Sequence, residues 1–350
     1  MKLADVFEEL AEERGLDRGT LSTIVCEGIK AGYERKFPEA VFAVTYQKKT
    51  GNISVELKKT VVEDPYDDFS QISLRKARLI DPAAEPNSEI FVPFEMPIGR
   101  LEIIRAKQVI AQKIKEIESA AVYKEFKPKE NTIVNGTIHR LEVGGVVVKL
   151  QNYYAFMPKS LSIPGQKYIV GYPLRALLKE VLLEPRHENQ LILDRSSEEF
   201  IKKLFELEIP EVYEKLVEIK DIVRIPGYKS KVVVLSNDSN IDPVGTCVGM
   251  GGARIKPILR EVGTEKIDII AWSDEPADFI RDSLKPAEIK RIEILEGKQA
   301  RIYVSDEQRA VAIGKLGQNI ALASRVTGYA IQLADSEPAP VKAEKEGDVV

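Results

Sequence analysis

Two short glycine-containing segments of the chain resemble each other and lie at a fixed spacing. Val248–Ile255 reads VGMGGARI, and Ile313–Ile320 reads IGKLGQNI. The first glycine of the second segment, Gly314, follows Gly249 by 65 positions. Two later glycines keep this spacing, Gly263 and Gly328. A single G-x-x-G is usually an ordinary turn between helices, but two copies at a matched offset indicate a duplicated structural unit.

The same order of predicted elements surrounds each copy. Each copy has a predicted helix and two strands upstream, then a helix on either side of the glycine loop, and then a third strand. The upstream elements are Glu211–Glu218, Ile219–Ile225 and Lys231–Leu235 in the first copy, and Ala277–Leu284, Arg291–Leu295 and Ala300–Val304 in the second. The order α-β-β-α-α-β with G-x-x-G between the last two helices is that of a type II KH domain. The sequence therefore predicts tandem KH domains at 198–274 and 275–334.

The glycines of such a loop have a chemical use. Glycine lacks a Cβ and reaches positive φ, so a nucleic acid backbone can approach closely. The helix that begins at the loop presents unpaired N–H groups to phosphate. KH domains clamp about four nucleotides in this way. The candidate RNA-binding residues are Gly249, Met250, Gly251, Gly252, Arg254 and Lys256 in the first copy, and Gly314, Lys315, Leu316, Gly317, Gln318, Asn319 and Arg325 in the second.

Residues 130–197 carry a different pattern, with five short strand-like runs. These runs are Gly136–Leu141, Gly145–Leu150, Tyr153–Pro158, Leu177–Glu184 and Gln190–Asp194. Five short strands in so few residues are typical of a small OB-fold barrel. Strand alternation puts Tyr154 and Phe156 on one face and Ala155 and Met157 on the other. We take Tyr154 and Phe156 as candidates for stacking on bases, although the pattern does not decide which pair forms the core.

Residues 1–126 are predicted to form one α+β domain. Two helices precede Pro38, with Asp17 as the N-cap of the second, and strands follow at Val41–Tyr46, Ile53–Val62 and Ile90–Phe94. A long helix is expected from Leu101 to Tyr123, with an apolar stripe of Ile103, Ile110, Ile114, Ile117 and Ala121. Its basic residues are candidates for contact with a macromolecular partner or are an ordinary solvated face: Arg105, Lys107 and Lys113. Residues 335–350 are expected to be disordered.

Composition limits the function classes. The net charge is −4, so any RNA site has to be local rather than a property of the whole chain. Two distant cysteines and two isolated histidines, His139 and His187, form no metal-binding pattern and no disulfide framework. We find no nucleophile elbow, P-loop or dinucleotide fingerprint, and no apolar run of membrane-spanning length. The sequence therefore predicts a soluble cytoplasmic monomer that has no cofactor, metal or enzymatic activity.

The motifs also resemble those of one known family. Ile241–Ile255 with Glu265–Trp272 looks like the first KH domain of the NusA family, and Ala312–Ser324 looks like the second. Leu204–Val212 resembles the family's connector after the barrel, and Ala106–Ile114 resembles its long N-terminal helix. One departure is Gly251, which stands where the first loop of the family usually has a basic residue, so this loop would rely more on its backbone N–H groups.

The resemblance implies a transcription factor rather than an enzyme. The N-terminal domain would bind the RNA polymerase core, and other Nus-type factors are further candidate partners. The barrel, of the S-one type, and the KH domains would bind single-stranded nascent RNA and so modulate elongation, pausing, termination and antitermination. Two alternatives remain open: an accessory subunit of an RNA-degrading enzyme, and an RNA binder associated with ribosomes or mRNA.

Overall fold

The computed structural model describes residues 17–47, 52–97, 99–186 and 189–334. The chain divides into two compact units, residues 1–122 and 123–350. The predicted first helix, His187 and the predicted disordered tail lie outside the described residues. No helix within the described ranges is long and apolar enough to cross a membrane.

The first unit contains a four-stranded sheet and three described helices. The helices are α1 (Arg18–Lys36), α2 (Leu74–Ile80) and α3 (Arg100–Phe126), the last of which continues into the second unit. The strands are β1 (Phe42–Gln47), β2 (Asn52–Val62), β3 (Gln71–Ser73) and β4 (Glu89–Pro93). Strand β2 pairs antiparallel with β1 and β4 and parallel with β3. The three predicted strands are present, whereas β3 and α2 were not predicted because such short elements leave little periodicity.

Helix α1 begins and packs as its sequence requires. The Asp17 carboxylate accepts a hydrogen bond from the Thr20 amide at 2.9 Å, which confirms the predicted N-cap. Gly28 of α1 lies against α3, where a Cβ would come within 3.0 Å of the Ala106 carbonyl oxygen and would overlap the Ile110 side chain. Glycine at this position therefore permits the two helices to pack closely.

The second unit begins with a closed five-stranded barrel. Its strands are β5 (Ile133–Glu142), β6 (Gly145–Leu150), β7 (Tyr153–Pro158), β8 (Pro173–Arg186) and β9 (Asn189–Asp194). They are hydrogen-bonded in the order β5-β6-β7-β9-β8, and β5 closes the barrel against β8. Only β7 and β9 pair in parallel among these strands. The predicted five-stranded barrel is therefore present.

Two α-β-β-α-α-β modules follow the barrel. After α4 (Glu198–Glu208), the first module has α5 (Pro210–Tyr213), β10 (Val217–Ile225), β11 (Lys229–Ser236), α6 (Pro243–Val248), α7 (Ile255–Val262) and β12 (Lys266–Ala271). The second has α8 (Pro276–Ser283), β13 (Arg291–Leu295), β14 (Gln299–Tyr303), α9 (Asp306–Ile313), α10 (Gln318–Thr327) and β15 (Ala330–Leu333). In both sheets the second strand pairs antiparallel with the first and parallel with the third. The predicted helix Glu211–Glu218 is shorter than expected, because the chain enters β10 at Val217.

The two modules share a packed boundary. The sheet of the first module packs on the helices of that module with one face. Its opposite face contributes Val223, Val233 and Ile270 to a separate hydrophobic cluster. The second module completes this cluster with Phe279, Leu322 and Val326. Lys231 of β11 is fully buried nearby, and burial lowers the pKa of its ammonium although Asp268, 2.9 Å away, opposes the shift. Because the boundary is apolar and buried, the two modules are held in one arrangement.

A buried ion pair stabilises the first module. Arg224 donates two hydrogen bonds of 2.8 Å to the carboxylate of Glu265, and both side chains are almost completely inaccessible. The same carboxylate accepts hydrogen bonds from the Gly227 amide and the Ser230 hydroxyl. Removing one partner of such a pair leaves a desolvated charge without compensation.

We expect Glu265→Ala to lower the free energy of unfolding by about 3–5 kcal/mol, because Arg224 would remain buried without its counter-charge. The control is Glu218→Ala, which breaks the exposed Glu218–Lys220 pair on the same strand as Arg224 and should cost at most about 1 kcal/mol. Urea denaturation of the two variants makes the comparison. Equal losses would contradict a special role for the buried pair.

Candidate nucleic-acid interface

Both G-x-x-G loops lie at the protein surface and share one backbone conformation. The first loop, Gly249–Gly252, connects α6 to α7, and the second, Gly314–Gly317, connects α9 to α10. The first glycines, Gly249 and Gly314, both have φ of 73°. The third and fourth positions also have positive φ, with 60° and 77° in the first loop and 55° and 73° in the second. The repeat in the sequence is therefore also a repeat in backbone geometry.

The third position explains the departure at Gly251. Glycine adopts φ of 60° there without a steric penalty, whereas Leu316 adopts φ of 55° at the matching position of the second loop. The tips are strongly exposed, with Met250 at 94% and Leu316 at 87% of full accessibility, and Lys315 is exposed too. Glycine at 251 thus suits the backbone and removes a side chain from the first loop.

The first and last glycines of each loop are needed for different reasons. A Cβ on Gly249 would lie 2.9 Å from Cγ of Arg254, and a Cβ on Gly314 would lie 2.6 Å from Cβ of Asn319. Gly317 has nothing within 4 Å of such a Cβ. The first glycine therefore lets the loop fold against the helix that follows. The last glycine has positive φ in both loops. Gly317 faces open space, where a ligand can approach, whereas a Cβ on Gly252 would lie 3.4 Å from Cε of Lys256.

Two of the predicted contact residues face the protein. Asn319 is only 3% exposed, and its amide donates to the carbonyl oxygens of Ala312 and Leu284 at 3.2 and 3.4 Å. Arg254 is half-buried and donates to Glu211. The sequence motif placed both side chains among the RNA contacts, but it could not reveal these inward partners.

The remaining predicted cations are accessible, although only Lys256 and Lys315 lie at the loops, whereas Arg325 is in the last turn of α10, at the end opposite to its loop. Lys256 is exposed, and its side chain passes beside Gly252. Arg325 is exposed and lies 3.4 Å from Glu198, in a pair that solvent screens. Gln318, the first residue of α10, is partly exposed. Within the described part of the chain, no group of three or more His, Cys, Asp or Glu residues could hold a metal ion.

The structure of the barrel shows which of the alternating residues of β7 form its core. Ala155 and Met157 are completely buried, so the alternate residues Tyr154 and Phe156 point away from the interior. Tyr154 is 45% exposed, and its ring centroid lies 4.8 Å from that of His139 on β5. His139 therefore joins the aromatic surface, because β5 and β7 lie on either side of β6 in the barrel.

Three family models match successive parts of the chain. They are the NusA N-terminal domain over residues 2–120, the NusA-like first KH domain over 195–272 and the NusA-like second KH domain over 276–340. The chain is also 34% identical to the transcription termination/antitermination protein NusA of Thermus thermophilus, with 96% of this chain and 90% of that protein covered. This chain belongs to the NusA family.

Other members of the family match at similar levels. The protein of the same name from Rickettsia conorii is 35% identical, with 96% of this chain and 68% of that protein covered. The one from Bacillus subtilis is 32% identical over 95% of this chain and 90% of that protein. The NusA resemblance expected from the motifs is confirmed, together with the KH domains that imply RNA binding. None of these matches supports an accessory subunit of an RNA-degrading enzyme.

The segment that matches the NusA N-terminal domain includes the predicted basic residues of α3. Arg105 and Lys107 are exposed, whereas Lys113 is half-buried and lies 3.4 Å from Glu27 of α1. Leu101 and Ile104 at the start of the same helix are 59% and 51% exposed. Ile103, expected in the inward stripe, is 39% exposed. The beginning of α3 is thus an accessible surface of mixed apolar and basic character.

The strained tip of the second loop gives a prediction about stability. We expect Leu316→Gly to raise the free energy of unfolding by roughly 0.5–1 kcal/mol, because relief of the left-handed strain exceeds the entropic cost of glycine. Met250→Gly is the control, since the backbone at Met250 has negative φ and glycine should lower stability there. Urea denaturation measures both. If Leu316→Gly instead lowers the free energy of unfolding, the backbone at Leu316 is not strained.

Proposed function

We propose that this protein binds the RNA polymerase core through its N-terminal unit and holds single-stranded nascent RNA on its barrel and two KH loops. In this way it modulates elongation, pausing, termination and antitermination. We also propose domain boundaries at 1–126, 130–197, 198–274 and 275–334. The observation that carries the proposal is the pair of matching surface loops at the starts of α7 and α10.

The chemistry of the loops supports RNA as the ligand. Helices that begin at glycine loops offer N–H groups and a partial positive charge to phosphate. Each loop also has a mobile cation close to it, Lys256 beside the first loop and Lys315 within the second. Because the chain carries a net charge of −4, these local positive groups are more informative than the overall charge.

The barrel supplies a second kind of contact. Tyr154 and Phe156 of β7 and His139 of β5 are accessible aromatic rings on two strands that lie on either side of β6. Stacking of a base on such a ring contributes about 1–3 kcal/mol and tolerates any base. Phosphate binding at the loops and stacking on the barrel together suit an unpaired RNA strand.

The start of α3 supports a protein partner for the N-terminal unit. Leu101 and Ile104 expose apolar surface beside the cations of Arg105 and Lys107. Interfaces commonly combine apolar anchors with arginine, whereas a merely solvated helix face has no need of exposed leucine and isoleucine. The relatives are named as transcription termination/antitermination proteins, and RNA polymerase is the enzyme that carries out transcription, so it is the partner to test first.

Replacing Gly317 by Asp should lower the affinity for single-stranded RNA by about tenfold or more, because a carboxylate would enter the space open to phosphate. The control is Gly297→Asp in the turn between β13 and β14. Gly297 has the same φ of 73° and equally open surroundings, but it is not in the loop. Fluorescence anisotropy with a labelled unstructured RNA measures the affinities. Equal affinities of the two variants would remove the second loop from the site.

Polymerase binding is tested with the full-length chain and a pull-down of core RNA polymerase. We expect Arg105→Ala combined with Lys107→Ala to reduce capture several-fold, because two charges at the interface are lost. Arg75→Ala with Lys76→Ala is the matched control, since it removes two exposed charges from α2 of the same unit. If the unsubstituted chain captures no polymerase, the proposed partner is wrong, and a ribosome- or mRNA-associated role becomes the better explanation.

A further inference from the structure

One side chain closes each G-x-x-G loop from the inside. In the first loop it is Arg254 and in the second Asn319, and each follows the first glycine of its loop by five positions. The two residues are therefore equivalent in the repeat, although their side chains differ in length, shape and charge.

Both side chains make the same connection to the helix before the loop. Nη1 of Arg254 donates to the carbonyl oxygen of Thr246 at 2.8 Å. Nδ2 of Asn319 lies 3.5 Å from the carbonyl oxygen of Val311 and 3.2 Å from that of Ala312. Thr246 and Val311 each stand three positions before the first glycine of their loop. Two unlike side chains thus supply N–H donors to equivalent carbonyl groups.

Each side chain also reaches the first helix of its module. Nη2 of Arg254 donates to Oε1 of Glu211 on α5 at 2.8 Å. Nδ2 of Asn319 lies 3.4 Å from the carbonyl oxygen of Leu284, the C-cap residue of α8. One residue at the beginning of α7 or α10 therefore ties three helices together beside the loop. We call this arrangement the loop clasp, formed by Arg254 in the first module and Asn319 in the second.

The first glycine is part of the same arrangement. A Cβ at Gly249 or Gly314 would come within 3.0 Å of the Arg254 or Asn319 side chain. The clasp and the absence of a side chain on the first glycine are thus mutually dependent, because the loop folds directly against the clasp residue.

We propose that Arg254 and Asn319 are positioning residues that hold the two loops in the shape that receives phosphate, and that neither side chain contacts RNA. This inference rests on the proposed RNA-binding function. It reassigns two residues that the motif alone placed among the direct contacts. Holding a loop in its bound shape raises affinity, because the cost of ordering is not met at binding.

The charge of Arg254 is compensated within the protein. Glu211 lies 2.8 Å from its guanidinium, with side-chain exposures of 34% for Arg254 and 26% for Glu211. Lys256, two residues further along, is exposed and lies beside Gly252. Phosphate would therefore meet Lys256 without breaking an existing pair, whereas Arg254 would have to leave Glu211.

Asn319 of the second module suggests a substitution, Arg254→Asn, that keeps N–H donors beside the loop and removes the positive charge. If Arg254 acts through its N–H donors, asparagine at this position should do what Asn319 does and donate to the carbonyl groups of Thr246 and Cys247. Asparagine carries no charge, so it cannot replace a direct phosphate contact. Glu211→Gln is included in each Arg254 variant, so that loss of the ion pair is common to all of them.

The first measurement needs no RNA. Amide hydrogen exchange across residues 248–254 is compared in the full-length chain carrying Glu211→Gln alone, with Arg254→Ala, and with Arg254→Asn. We expect exchange at the loop to be about tenfold faster with Arg254→Ala and close to the Glu211→Gln value with Arg254→Asn. Exchange that does not change with Arg254→Ala would overturn the proposal.

The second measurement is the salt dependence of RNA affinity for the same variants. A lost phosphate contact reduces the slope of log affinity against log salt by about one, whereas a lost positioning residue weakens binding at unchanged slope. We expect Arg254→Ala to bind about tenfold more weakly than Glu211→Gln alone, with the same slope, and Arg254→Asn to bind within about threefold of it. Lys256→Ala is the control that should lower the slope.

The outcomes decide between the two roles. If Arg254→Asn binds as weakly as Arg254→Ala and both have a lower slope, Arg254 is a phosphate contact and the clasp is wrong. If the unsubstituted chain binds no RNA, the proposed function fails, and hydrogen exchange still decides whether the clasp holds the loop. Asn319→Ala extends the exchange test to residues 313–319. Because Asn319 is buried, circular dichroism first checks that this variant folds; if it does not, the Arg254 series decides.

Discussion

Positive φ at three positions of each G-x-x-G loop is the constraint on which the interface depends. L-residues with a Cβ rarely adopt this conformation, so glycine occupies five of the six positions and Leu316 is the exception. The resulting bend brings Gly249 against Arg254 and Gly314 against Asn319, each at the start of the helix that follows its loop. It also turns the end of each loop toward open solvent, where the helix N-terminus is available to an anion.

The packing between the two modules fixes the position of one loop relative to the other. An apolar face of the sheet in the first module, with Val233 and Ile270, lies against Leu322 of α10. Lys229 of the first module donates to Oδ1 of Asn319 at 3.1 Å, so the side chain that closes the second loop is also held by the first module. The two loops therefore belong to one body, and a single strand that reaches both would meet sites of fixed separation.

Much of this fold could be predicted from the sequence, because the decisive signals are local. The repeat spacing, the helix cap at Asp17 and the alternation around Tyr154 each depend on residues that are near one another in the chain. The missed elements, β3 and α2, are too short to have a period. The helix predicted to extend to Glu218 ends at Tyr213, because the chain joins the sheet as strand β10 from Val217 onward. Local propensity does not report that competition between helix and sheet.

The sequence by itself determined the duplicated glycine loops, the order of elements around them, the barrel and the family. These follow from residue types at fixed spacings, which dictate backbone conformation and amphipathic faces. Only the tertiary structure decided which side chains at the loops face solvent and which face the protein. Arg254 and Asn319 belong to the motif, but their partners Glu211 and Leu284 lie 43 and 35 positions earlier in the chain. Contacts over such separations come from the packing of helices, which no local pattern encodes.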